Sequence, residues 1–119
     1  MVTAVSEKRI LLVEDELEIQ AVLGEVLRDE SYAVDFAATV REAKNRLAAQ
    51  TYDLVITDWK LPDGDGRLIA DWATELGAKT VVMSGYLSRM PGGRAPDHET
   101  LMKPIRLPEF VDLVRRSIG

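Results

Sequence analysis

The chain predicts an α/β fold, a doubly wound parallel sheet with helices on both faces. Three observations carry this expectation. Five short apolar runs recur along 119 residues. Segments with the 3.6-residue period of amphipathic helices follow most of them. The residues that close the runs are acidic, hydroxyl-bearing or cationic, and such a fold gathers strand ends on one edge.

Each element has its own signature. Residues 1–8 read as a loose tail and 9–119 as one domain. Arg9-Ile10-Leu11-Leu12-Val13 suits a central parallel strand, apolar on both faces. Glu14-Asp15-Glu16 follows, then a helix with Ile19, Val22, Leu23, Val26 and Leu27 at helical spacing. Tyr32 to Ala37 is a second, shorter strand. Thr39-Val40-Arg41-Glu42 has the form of a capping box, opening a helix that carries Ala43 and Leu47. Asp53 to Thr57 is a buried strand, so Asp58 stands where strand becomes loop. Leu68, Ile69, Trp72, Ala73 and Leu76 mark the next helix, with Gly77 as its stop. Thr80 to Met83 and Leu101-Met102 are the last strands. Pro108 starts the final helix, with Phe110, Val111, Val114 and Ile118 on one face.

Composition narrows the class. A chain of this length fits one domain with a real core. The net charge of -5 and the lack of a basic stripe argue against direct binding of nucleic acid. The absence of cysteine excludes disulfides and thiolate metal sites and fits a reducing compartment. No signal peptide is visible and no apolar run approaches a membrane span, so a cytoplasmic protein is expected.

The carboxyl edge of the sheet then holds Glu14 and Asp15 from the first strand, Asp58 from the third, Ser84 from the fourth and Lys103 from the fifth. Carboxylate oxygens without thiolate or imidazole suit a hard ion such as Mg²⁺. That ion, Ser84 and Lys103 together would neutralise a phosphoryl group, with Asp58 as the covalent nucleophile. Taken singly, these residues have plainer readings. Glu14 and Asp15 would suit a helix N-terminus through its dipole. Asp58 would serve as a loop residue, Ser84 as a strand-end hydroxyl, and Lys103 as surface charge. Asp63 and Asp65 read as solvated turn residues. They resemble the start of a calcium loop, but Arg67 and Thr74 occupy required ligand positions, which rules calcium out. His98 is the only histidine and reads as a loop residue without a partner.

Leu12-Val13-Glu14-Asp15-Glu16, the Asp58 to Gly66 loop with Pro62, Met83-Ser84-Gly85 and Lys103-Pro104 occur in an order and spacing that is highly specific. In these motifs, from Arg9 to about Ile118, the chain resembles the receiver domains of two-component response regulators. The resemblance implies a flavodoxin-like five-stranded parallel sheet of order 2-1-3-4-5. It implies that Asp58 accepts a phosphoryl group from a histidine kinase or a histidine phosphotransfer protein. Glu14, Asp15 and Asp58 would hold Mg²⁺ with the backbone carbonyl of Lys60. Ser84 would contact the phosphoryl oxygens and Lys103 would pair with the group. The Lys103-Pro104 bond would be cis.

Three departures from the family pattern stand out. Thr100 occupies the place of an aromatic residue whose rotamer reports phosphorylation. The stretch 87–97 holds two prolines and a Gly-Gly pair, so the fourth helix should be short or absent. Magnesium and phosphorylation are expected to order residues 86–96. Lys60 and Tyr86 sit two residues beyond Asp58 and Ser84, where the family admits the hydrolytic water, and their bulk predicts a long-lived phosphoryl group. As to partners, Ile19 and Ile105 would either pack inward or form an apolar patch for a phosphotransfer helix. A downstream protein partner is also expected. Two rivals remain to be weighed. A dehalogenase-type phosphatase would need Asp-x-Asp after the first strand, which Asp15-Glu16-Leu17 does not supply. A phosphate-independent interaction domain would keep the fold and lose the chemistry.

Overall fold

The computed structural model describes residues 7–85 and 98–119. Tyr86 and the 87–97 stretch, with the expected loss of the fourth helix, lie outside the described residues. In chain order the elements are β1 (Arg9–Val13), α1 (Leu17–Asp29), β2 (Ala33–Ala37), α2 (Val40–Ala49), β3 (Leu54–Asp58), β4 (Lys60–Leu61), β5 (Gly64–Asp65), α3 (Gly66–Glu75), β6 (Lys79–Ser84), β7 (Glu99–Met102) and α4 (Leu107–Ile118).

Five strands form one parallel sheet in the order β2-β1-β3-β6-β7, the flavodoxin-like arrangement. This is the expected order 2-1-3-4-5 once the two-residue strands are set aside. Those two, β4 and β5, make a small antiparallel ladder just after Asp58. The ladder went unforeseen because two residues of pairing leave no periodicity to read.

Ile10, Leu11, Leu12 and Val13 are all fully buried. Successive side chains point to opposite faces, so β1 feeds two cores. Ile10 and Leu12 join Leu54, Ile56, Val81 and Met83 under α1 and α4, where Leu23, Leu27, Phe110 and Val114 complete the layer. Leu11, Val13 and Val55 face α2 and α3, meeting Ala43, Leu47, Ile69 and Ala73. Each fully buried large apolar side chain contributes roughly 1.5–3 kcal/mol.

Local chemistry sets the helix ends. The Thr39 hydroxyl accepts from the Glu42 amide at 3.0 Å, and the Glu42 carboxylate accepts from the Ala38 amide at 2.9 Å. The capping box therefore forms, reaching one residue further back than its usual partner. Asp63 adds a second cap, accepting from the amides of Val40 at 2.7 Å and Arg41 at 3.0 Å. Asp65 caps α3 through the Arg67 amide at 2.8 Å. Both are therefore helix caps rather than merely solvated turn residues. Gly77 follows the end of α3 at φ +92°, a conformation that costs glycine little.

One expected apolar face is split. Ile69, Ala70 and Ala73 are fully buried, while Leu68 and Leu76 are 60% exposed and Trp72 39%. The arc against the sheet is made by Gly66, Ile69, Ala70 and Ala73, and Leu68, Trp72 and Leu76 lie outside it. Val22 on α1 likewise faces solvent. Among the described residues no helix is long and apolar enough to cross a membrane.

Candidate functional site

The parallel sheet delivers its functional residues by strand termination. Asp58 is the last residue of β3 and Ser84 the last of β6. Glu14 and Asp15 follow β1 directly, and Lys103 follows β7. The Lys103 amide donates to the Ser84 carbonyl at 3.0 Å, and the Trp59 amide to the Met83 carbonyl at 2.8 Å. These bonds hold the three neighbouring strand ends in register. The Lys103–Pro104 peptide is cis, as the motif implied.

Two acidic groups lie inside the fold. Glu14 has no exposed surface and Asp58 only 5%. Isolated, such charges would be costly. Lys103 Nζ meets both, at 2.8 Å from Glu14 Oε1 and 2.7 Å from Asp58 Oδ1. The other Glu14 oxygen accepts from the Glu16 amide at 3.1 Å. Among the described residues no buried side-chain polar atom is left without a partner.

The charges are unequal in consequence. Burial, and then the adjacent Glu14, push the Asp58 carboxyl up to about 8, with Lys103 opposing. Burial also works to raise Glu14, but hydrogen bonds from Asp58, Lys103 and the Glu16 amide outweigh it and hold this carboxyl below its ordinary value. Burial disfavours the Lys103 charge, yet its two carboxylate partners keep the ammonium above its usual range. The arrangement is a proton-sharing carboxyl pair beside a fixed cation.

One oxygen each from Glu14, Asp15 and Asp58 lies within 4.8 Å of the others. This all-oxygen set, with Asp15 exposed at its mouth, fits a hard divalent cation that keeps part of its water. A cleft of about 450 Å³ opens over it, walled by Asp15, Asp58, Trp59, Lys60, Ser84 and Lys103. Five of the six predicted site residues thus line one cleft, with Glu14 buried behind it. Lys60 begins β4, and its ammonium lies 5.1 Å from the centre of the Trp59 ring.

Sequence reasoning missed several features. His98 has partners: Nδ1 lies 2.5 Å from Thr80 Oγ1 and Nε2 2.7 Å from Asp71 Oδ1. Its side chain is 3% exposed, so the solitary loop residue is in fact a bridge between β6 and α3. Only the fold brings Asp71 and Thr80 to it. Trp59, packed with Ala70 and Val82, also walls the cleft, a placement that its position directly after Asp58 signals. Ile19 and Ile105 are partly packed against the core under α1 and α4. Both also line a groove of about 740 Å³ with Val22, Leu23, Pro104 and Leu107. They thus pack partly inward and partly line an apolar groove.

A parallel sheet of this order gathers an acidic cluster and a lysine at its carboxyl edge. The chain belongs to the response regulator receiver domain family, whose model matches residues 10–115. It is therefore a receiver domain of the two-component systems. It is 30% identical over 116 residues to the response regulator receiver protein CpdR of Brucella abortus, covering 93% of this chain and 97% of that one. It spans 21–57% of the length of other curated relatives it matches. Among solved structures, a CheY-like receiver domain protein from Methanospirillum hungatei superimposes with a TM-score of 0.84 at 28% identity, over 95% of this chain and 94% of that one. The receiver domain of the sensor histidine kinase PA1611 of Pseudomonas aeruginosa gives 0.82 at 26% identity, over 96% and 99%. That structure has a magnesium ion coordinated in its active site cleft.

Proposed function

We propose that this receiver domain takes a phosphoryl group onto Asp58 from a histidine kinase or histidine phosphotransfer protein in the cytoplasm. It then passes the group on or uses it to bind a downstream protein. The observation that carries this reading is the placement of Asp58. It is buried at a strand end, within 4.8 Å of the Glu14 and Asp15 oxygens and 2.7 Å from the Lys103 ammonium.

Glu14, Asp15 and Asp58 would hold Mg²⁺, with the Lys60 carbonyl as a further ligand. When bound, the ion supplies positive charge to the phosphoryl oxygens. The remaining steps belong to the chain. Asp58 releases its proton to solvent, its carboxylate oxygen attacks phosphorus, the P–N bond of the phosphohistidine breaks, and the imidazole leaves with a proton from solvent. Lys103 gives up its contact with Asp58 for a phosphoryl oxygen. The Ser84 hydroxyl, from the next strand end, meets another. The domain acts once per donor and is not a turnover enzyme.

The test is incubation with Mg²⁺ and acetyl phosphate or phosphoramidate, read by intact mass, for wild type and Asp58→Asn. Repetition with a phosphorylated histidine phosphotransfer domain covers protein-only donors. A single phosphoryl adduct on wild type alone, lost when EDTA replaces Mg²⁺, is expected. No adduct from any donor on a folded protein would reject the proposal and favour a phosphate-independent interaction domain.

A further inference from the structure

We propose that the outer face of α3 is a self-association surface that pairs with a second copy of this chain. Leu68, Trp72 and Leu76 lie at i, i+4 and i+8 and are 60%, 39% and 60% exposed. A contiguous exposed apolar stripe is a candidate interaction surface.

The two flanks of the stripe differ in sign, and this selects the occupant. On the α2 side, Lys44 Nζ lies 4.5 Å from the centre of the Trp72 ring. Arg41 stands one turn earlier on α2. On the opposite side, Asp71 is held by His98, which leads into β7. Glu75 follows Asp71 by one turn of α3. Arg67, one turn before Asp71, is paired with Asp65 at 2.7 Å, so the stripe is basic along its α2 border and net acidic along its β7 border.

A two-fold axis running along α3 lays stripe on stripe. It also sets the basic border of each copy over the acidic border of the other, so one rotation satisfies both borders. An axis across the helix would instead oppose like charges. The face is complementary to itself, the requirement for an isologous contact. Lys44 already rests over Trp72, so less side-chain freedom is lost on association. Three apolar residues are few beside the roughly 20–30 per partner of a stable complex. Association is accordingly weak, with a Kd on the order of 100 µM.

Sedimentation velocity of the full chain, from about 10 µM to about 1 mM, reads this range. Wild type should pass from monomer to dimer. Lys44→Glu and Glu75→Lys, both at exposed positions, should each weaken self-association about tenfold or more. An equimolar mixture of the two variants should recover a dimer containing one of each, because the altered borders then match. A wild type that stays monomeric throughout would overturn the proposal and leave the stripe to a different partner. So would a dimer indifferent to both substitutions, or single-variant losses that mixing does not restore.

Discussion

A Cβ at residue 66 would stand 1.7 Å from the main-chain carbonyl oxygen of Asp58, so Gly66 and Asp58 pack backbone against backbone. The Gly66 amide donates to the Trp59 carbonyl at 2.6 Å, closing the loop that follows β3. The obstacle is main chain, which cannot swing aside as a flexible side chain does. Gly66→Ala should therefore cost about 2–3 kcal/mol of stability. Because the strain falls on Asp58, it should also lower phosphoryl uptake in the surviving folded fraction. Urea unfolding and intact mass measure the two effects, and a neutral Gly66→Ala would contradict the close packing.

Asp58→Asn should make the metal-free protein more stable. The Asp58 carboxyl sits at about 8, pushed up by burial and then by Glu14, against an ordinary 3.8. Between those values the folded chain keeps a proton that the unfolded chain has released. Stability therefore falls as pH rises through that window. Glu14, held below 4.5, contributes the opposite slope only at lower pH. Asparagine carries no such penalty. The gain should be about 1–3 kcal/mol at pH 8 and shrink toward pH 5. Denaturant melts in EDTA across this range check it, and parallel curves for the two proteins would refute the electrostatic account.

Lys60→Ala should shorten the life of the phosphoryl group several-fold. Lys60 lines the cleft beside Asp58, with its ammonium over the Trp59 ring. If the hydrolytic water approaches Asp58 past this position, a long cation here should crowd it. Decay of the mass adduct after removal of the donor gives the rate. If the half-life does not change, water enters by another path.

Ile19→Asp and Ile105→Asp should slow transfer from a phosphorylated protein donor about tenfold, roughly 1.4 kcal/mol of lost docking. Both residues line the apolar groove beside Pro104 and remain partly exposed, so the fold should tolerate the change. Acetyl phosphate bypasses docking and should react at the wild-type rate. Equal slowing with both donors would point to damage at the site itself.

The strand-end residues were legible in the sequence because a parallel sheet turns local order into spatial convergence. Glu14, Asp58, Ser84 and Lys103 each close an apolar run, and no long-range knowledge was needed to place them on one edge. Contacts between distant segments were not legible. Asp63 caps a helix that begins 23 residues earlier, and His98 meets Asp71 at a separation of 27. Nothing in the flanking residues announces either pairing. The outward turn of Trp72 was hidden for a different reason. Periodicity locates an apolar arc wider than the strip the sheet covers, and it does not say which edge of that arc is left in solvent.

Glu14 and Lys103 are joined by an ion pair across 89 residues of chain. A polypeptide emerging from the ribosome carries Glu14, Asp15 and Asp58 long before it carries the lysine that reconciles them. Until β7 is made and takes its place beside β6, two carboxylates destined for the interior have no cation to accompany them. Nascent chains and C-terminal truncations should therefore lack the assembled pocket, which ties signalling competence to completion of synthesis.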